Sequence, residues 1–199
     1  MEAGADLIER VRLVCGTNHV LTDLVALSTY RSDGIRRDGP LPLAVVLPGD
    51  AAEVAAVVSA CADTRVPWVV RGAGTSRDGG ALPSSGGLLI ALTRMRRVLA
   101  LALADDEVTV EAGVPAAALA RAVAPTHTIE IEHPGTLGGA AAAGLLGPQL
   151  LGLDVVQADG AVVSFTPRSA GYDLAGAFGG SHGSRGVAVS LTLRAVPLP

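Results

Sequence analysis

The residues with the clearest capacity for chemistry in this chain are glycines. Arg71 to Pro83 reads Arg-Gly-Ala-Gly-Thr-Ser-Arg-Asp-Gly-Gly-Ala-Leu-Pro and directly follows a short apolar run. Without a Cβ, glycine lets a bend take positive φ and bring main-chain N–H groups against an anion such as a phosphate. On the residues alone two readings compete: a phosphate cradle, or a tight turn between two parts of the fold. A dinucleotide loop of the Rossmann kind follows the first strand of a βαβ unit and opens a helix. Here the loop follows what reads as a second strand, and Gly86 to Leu92 beyond it reads as another strand. No Gly-Lys-Ser/Thr occurs, which excludes the ATPase phosphate loop.

Other candidate groups carry less. Gly179-Gly180-Ser181-His182-Gly183 matches the nucleophile elbow of α/β-hydrolases, but the elbow needs a strand before the serine, a helix after it and a later histidine. Here a helix-like segment precedes, a strand-like one follows, and no histidine lies beyond His182. His127, Ile129, Ile131 and His133 share one face of an extended segment, which would set the two histidines about 20 Å apart, too far for one metal ion. They read as solvated or hydrogen-bonded histidines, as does His19. Cys15 and Cys61 form no CxxC pair and suggest reduced thiols in the cytoplasm. The cations are all arginine, only Arg94, Arg96 and Arg97 gather, and the net charge is −4, which argues against a nucleic-acid partner. The acidic start does not resemble a secretory signal, and the apolar stretches, broken by Gly and Pro, do not suggest membrane insertion.

With 199 residues and 49% hydrophobic content the chain can bury one substantial core, or two small ones sharing an interface. Ala5–Val14 has one apolar helical face, with Gly16 as its stop, and Asp23–Tyr30 predicts a second short helix. Tyr30 to Gly34 reads as an exposed loop. Leu43–Leu47 is an apolar run suited to a strand buried on both faces. Asp50 and Glu53 make a capping-box start for a helix lined by Val54, Val57, Val58 and Cys61 and ending near Thr64. Val66–Val70 is the next strand, parallel to the first by the right-handed crossover rule. The glycine loop then lies at the carboxyl end of the pair, where open α/β sheets place ligands. Beyond it an antiparallel pattern is expected: Gly87–Leu92, Val98–Leu103 and Val108–Glu111, a helix over Pro115–Val123, and a hairpin of Leu153–Gln157 and Ala161–Phe165 around Asp159-Gly160. Ala140 to Ala143 can open a helix. Val187 to Ala195 alternates apolar and polar residues as a half-buried strand does. The expected class is α+β, with a small βαβ lobe over about 23–85 and a larger, mainly antiparallel lobe over about 86–199.

Four segments carry a family likeness in this order: the 71–83 loop, Thr136-Leu137-Gly138-Gly139, Gly171-Tyr172-Asp173-Leu174, and Gly183-Ser184-Arg185-Gly186-Val187 before the last strand. Together they resemble the FAD-binding domain of the vanillyl-alcohol oxidase and p-cresol methylhydroxylase (PCMH) type, nearest its glycolate oxidase and D-lactate dehydrogenase branch. The likeness covers about Asp23 to Pro199. It implies that the backbone of Arg71, Gly72, Ala73, Gly74, Thr75, Gly79 and Gly80 binds the FAD pyrophosphate. It also implies that Pro134, Thr136, Leu137, Gly138 and Gly139 contact the cofactor near the flavin ring and phosphates, and that Gly186 and Val187 meet the adenine end. Thr75 stands where some relatives carry a flavin-linked histidine, so the implied FAD is non-covalent. Asp173 also reads as the cap of the helix that follows it.

Three departures bear on function. The family's Asn-Ala-Gly-Gly segment after the second loop is missing, and Ala140–Gly144 runs almost straight into Leu150–Val156. The usual Gly-Ser-Glu-Gly is here Gly180-Ser181-His182-Gly183, with Arg185 in place of an apolar residue. The sequence stops at Pro199, where relatives continue into a cap domain that supplies most substrate-binding side chains. The resemblance therefore implies a FAD-binding domain or subunit of an oxidoreductase acting on a 2-hydroxy acid or similar alcohol, its pocket completed by a cap-bearing or electron-transfer subunit. No catalytic base is nominated. The alternatives are a degenerate, non-catalytic interaction or regulatory module that keeps the fold, and a truncated gene product.

Overall fold

The computed structural model describes residues 2–35, 38–83, 86–131, 133–166 and 174–199. The Gly171-Tyr172-Asp173 part of the third family segment lies outside them. Two sheets share the chain. The smaller contains β1 (Val20–Leu21), β2 (Ala44–Val46), β3 (Trp68–Arg71) and β4 (Leu88–Ala91) in the order β1-β2-β4-β3. The larger is antiparallel: β5 (Val98–Ala102), β6 (Glu107–Glu111), β8 (Leu150–Val156), β9 (Val162–Phe165) and β10 (Val187–Arg194), ordered β5-β6-β10-β8-β9. A two-residue pair, β7 (His127–Thr128), which follows helix α4 (Ala116–Val123), with β11 (Val196–Pro197), completes the strands among the described residues.

Helix α3 (Ala51–Thr64) joins the two halves. Asp50 caps it by accepting from the Glu53 amide at 2.9 Å, while the Glu53 carboxylate reaches back to the Gly49 amide at 2.7 Å, one residue earlier than a reciprocal box requires. Val54, Val57, Val58 and Cys61 are buried as their spacing predicts, and they share one core with β4, β8 and β10. Helix α1 (Glu2–Cys15) runs beside α3, with Arg10 bridging to Asp63 at 3.2 Å. On the far face of the small sheet Val45, Leu89 and Ala91 pack under Leu27 of α2 (Leu24–Thr29), which Asp23 caps through the Ala26 amide. Cys15 and Cys61 are free and buried, and burial pushes both thiols up to about 12.

Two expectations need correction. The Gly87–Leu92 strand does not begin the antiparallel region: as β4 it lies between β2 and β3 and pairs parallel with both. Its four residues are all fully buried, the mark of a central parallel strand covered on both faces. Tyr30 to Gly34 is not a bland exposed loop either. Asp33 is buried, and the Gly34 amide donates to the Ser76 carbonyl at 2.8 Å, because this segment backs the glycine loop.

In the large sheet β10 is central, paired with both β6 and β8. Val187, Val189, Leu191 and Leu193 face the core. The opposite side is polar: the Thr109 and Thr192 hydroxyls lie 3.2 Å apart, and Asp154 accepts from Ser164 and Ser190 at 2.5 Å each. The β8–β9 hairpin turns at Gly160, whose φ of +88° only glycine adopts without strain. Glu111 is buried and fully satisfied, accepting from the Arg97 amide at 2.7 Å and from the Arg97 guanidinium at 2.7 and 3.0 Å.

Candidate functional site

The chain leaves β3 at Arg71 and enters a bend in which Gly74 and Gly79 take φ of +73° and +87°. The bend lines one wall of a cleft of about 470 Å³, within the roughly 300–1,000 Å³ of small-molecule sites. Arg71 itself turns away from the cleft. Its Nη1 donates to the Ser32 carbonyl at 2.8 Å and lies 3.4 Å from the Tyr30 and Ala81 carbonyls, with the guanidinium 5.9 Å from the Tyr30 ring centre. The arginine ties both ends of the bend to the segment behind it. A Cβ on Gly34 would stand 2.8 Å from the Thr75 carbonyl carbon, so that segment approaches closely enough to need glycine.

With its back fixed, the bend presents main chain to the cleft. Among the described residues the amides of Ala73, Gly74, Thr75 and Ser76 donate to no other group. Four consecutive amides that no described protein group uses are open to water or to an anion that replaces it.

The facing wall is built differently. Thr136 caps α5 (Leu137–Ala142), its hydroxyl 3.4 Å from the Gly139 amide. The Leu137 amide donates to Val114 at 2.9 Å and the Gly138 amide to Ala112 at 2.8 Å. These amides are therefore already used, and this wall offers surface rather than donors. The two walls touch where Gly72 meets the Thr136 hydroxyl, which a Cβ at Gly72 would overlap. Gly186, at φ +122°, lets the chain pass close to Val155 and Val156 before β10 closes the third side.

Of the residues expected at a site, Gly72, Ala73, Gly74, Thr75, Gly80, Pro134, Thr136, Gly138, Gly139, Gly186 and Val187 line the cleft. Arg71, Gly79 and Leu137 do not; Leu137 is fully buried in the core. The structure adds residues that spacing did not single out. Asp78 accepts from the Ser76 hydroxyl and from the Gly80 amide at 2.9 Å, and it pairs with His182 Nδ1 at 2.6 Å. Those hydrogen bonds, led by Ser76, hold its carboxyl below the ordinary carboxylate range. His133 also reaches the cleft, where burial lowers its pKa. It is not part of a long strand, since β7 ends at Thr128, and His127 instead lies 3.4 Å from Asp106. The signal for Asp78 was present in its place inside the glycine loop; nothing local marks its partner, a hundred residues away.

Ser181 is no hydrolase nucleophile. It lies after α6 (Leu174–Phe178) and before β10, its hydroxyl is buried with no hydrogen-bond partner among the described residues, and the neighbouring His182 pairs with Asp78 instead. No group of three metal-ligating side chains occurs among the described residues, and no described helix is long and apolar enough to cross a membrane.

Residues 42–166 match the family model described as an FAD binding domain. This chain belongs to that family. Its curated relatives include the glycolate oxidase subunit GlcD of Escherichia coli strain K12, 33% identical over 85% of this chain and 38% of that protein. GlcD of Bacillus subtilis strain 168 is 29% identical over 98% and 45%, and D-2-hydroxyglutarate dehydrogenase of Xanthomonas citri pv. viticola is 32% identical over 89% and 42%. The chain thus spans under half the length of these relatives. Among solved structures, 4-ethylphenol oxidase from Gulosibacter chungangensis superposes with a TM-score of 0.84 at 24% identity, over 100% of this chain and 43% of that one. p-Cresol methylhydroxylase gives 0.83 at 19%, over 100% and 44%. These superpositions establish the fold, α+β of the PCMH type, and the family match gives FAD as the cofactor of the family.

Proposed function

We propose that this chain holds FAD non-covalently in the cleft, as the cofactor-binding part of an oxidoreductase that oxidises a 2-hydroxy acid or similar alcohol. The observation that carries the reading is the bend from Gly72 to Ser76, glycine-rich, braced from behind by Arg71 and lined with unspent amides. A diphosphate needs such donors, and the site has room for the group: no side chain projects from Gly72, Gly74 or Gly80. Ala73, Gly74, Thr75 and Ser76 would bind the diphosphate through main chain, with Gly80 allowing close approach. Pro134, Thr136, Gly138 and Gly139 would form the facing surface, and Gly186 and Val187 the far end. Arg71, Gly79 and Leu137 then act by shaping the backbone.

Bound FAD supplies hydride acceptance, and the protein supplies position and shielding from water. Thr75 offers no histidine for a covalent link. The cleft stays open beside Leu145, which is 58% exposed, so the substrate side is completed by further polypeptide, in our reading a cap-bearing or electron-transfer partner. Acting on a 2-hydroxy acid follows the names of the relatives rather than any side chain here. Two free buried thiols suit the reducing cytoplasm.

The test is direct. Purified protein should be yellow and bind added FAD with quenching of flavin fluorescence, and acid precipitation should release all flavin to the supernatant. Colourless, folded protein that ignores FAD would instead establish the degenerate module that keeps only the fold.

A further inference from the structure

The outer edge of the large sheet carries a pattern that flavin binding does not use. β5 ends the sheet, so among the described residues one side of it has no neighbouring strand. Val98, Leu99 and Leu101 are 38%, 48% and 49% exposed, an apolar run along an edge whose free N–H and C=O groups are a template for another strand. The flanks differ in sign. Arg96 and Arg97 precede the strand, and Asp105 and Asp106 follow it. Arg97 is committed to Glu111 and Asp106 faces His127 at 3.4 Å. Arg96 and Asp105 are exposed and have no side-chain partner among the described residues.

Read along the chain, the edge is basic, then apolar, then acidic, which makes it complementary to itself in the antiparallel sense. We propose that this edge is an interface between two copies of this chain, apposed antiparallel about a two-fold axis near Ala100. That axis sets Val98 opposite Ala102 and Leu99 opposite Leu101 of the second copy, and brings each Arg96, opposite Ala104, next to the 3-10 turn Leu103–Asp105 that carries the other copy's Asp105. An axis perpendicular to the sheet keeps side chains on their own face, so it must pass through a residue pair such as Ala100 with itself. A parallel approach would set arginine on arginine and aspartate on aspartate. The ladder to β6 is irregular between Val98 and Ala100, which adds twist at the basic end. A symmetry mate carries the same twist in the same sense, so the edges stay matched. The inference does not depend on whether FAD is bound.

Sedimentation velocity over a concentration series tests it, using the full chain with FAD present. The expected result is a reversible dimer of the 19.9 kDa chain. Leu101→Lys should give monomer with an unchanged far-UV circular dichroism spectrum. Arg96→Asp should weaken the dimer about tenfold, and Arg96→Asp with Asp105→Arg in the same chain should restore it, because the inverted edge is again complementary to itself. The charge swap decides the matter even where Leu101→Lys fails to fold, since both charged positions are exposed. A monomer at every concentration, a dimer indifferent to Arg96→Asp, or a double variant no stronger than the single one overturns the proposal. So does finding the edge occupied by a different protein.

Discussion

The two principal walls of the cleft contain similar numbers of glycines and use them for opposite purposes. In the bend from Gly72 to Gly80 glycine lets the backbone close onto Thr136 at Gly72 and onto the Arg71 guanidinium at Gly74, and the amides of Ala73 to Ser76 stay unspent. In the Pro134–Gly139 wall glycine lets α5 settle onto Ala112, and the amides are consumed in doing so. A glycine-rich motif therefore has no single meaning. One wall trades internal hydrogen bonds for ligand capacity, and the other trades ligand capacity for packing.

Substituting one glycine in each wall breaks or sharpens that contrast, and Gly138 should show the largest effect. A Cβ there would lie 2.7 Å from the Ala112 Cβ and 2.9 Å from its carbonyl oxygen, and Ala112 is held by hydrogen bonds to Val189 of β10 and to Gly138 itself. Gly138→Ala is expected to destabilise the FAD-free protein by about 3 kcal/mol, the upper end of the overpacking range, read from the urea midpoint. Gly80→Ala meets only the Asp78 carboxylate oxygen at 3.2 Å and the His182 Cβ at 3.7 Å. Its stability should stay within about 0.5 kcal/mol of the parent. Its FAD affinity should fall. Equal stability losses in the two variants would sink the distinction between the walls.

Next in size is Arg71. Arg71→Gln removes the charged donor from the Ser32, Tyr30 and Ala81 carbonyls, at an expected cost of about 2 kcal/mol. If the bend owes its shape to this bracket, FAD affinity should fall about tenfold as well, though the side chain does not line the cleft. Arg71→Lys should recover part of the loss, since all three carbonyls meet the single nitrogen Nη1, which an ammonium can replace as donor. An Arg71→Gln variant with full FAD affinity would show that the bend holds itself.

Thr136 is a smaller lever on the opposite wall. Thr136→Ala loses the cap of a short helix, about 1 kcal/mol in thermal unfolding, and Thr136→Ser should restore most of it.

The sequence displayed the first wall far better than the second. Arg71 to Gly80 is contiguous and follows its strand at once, so its place at the carboxyl end of a parallel pair could be read locally. The bracket could not: it joins Arg71 to carbonyls some forty residues earlier, and carbonyls have no sequence signature. The insertion of β4 between β2 and β3 was half visible. Leu88 to Ala91 is an unbroken apolar run, the sign of a strand covered on both faces, yet strand order is set by the crossover path and not by composition. Family likeness alone marks Thr136 to Gly139 as cofactor surface. The fold commits two of its amides to Ala112 and Val114 instead.

The smallest predicted effect separates the walls by pH. His133 belongs to the second wall, and burial lowers its pKa from the ordinary 6.5. Asp78 belongs to the first, and the Ser76 hydroxyl, the Gly80 amide and His182 lower its pKa from 3.8. In both cases the unfolded chain takes up a proton before the folded one, so stability is present above the ordinary value and lost as pH falls through the folded value. The windows differ: the His133 loss begins below pH 6.5, and the Asp78 loss only below pH 3.8. Each step should be small. Asp78 should cost about 0.5 kcal/mol or less, because its side chain is 46% exposed and solvent screens it. Urea midpoints measured from pH 7.5 to pH 3 should show two steps, the upper absent in His133→Asn and the lower absent in Asp78→Asn. A single step abolished by either substitution would mean that the two groups titrate as one coupled pair and that the walls are not electrostatically independent.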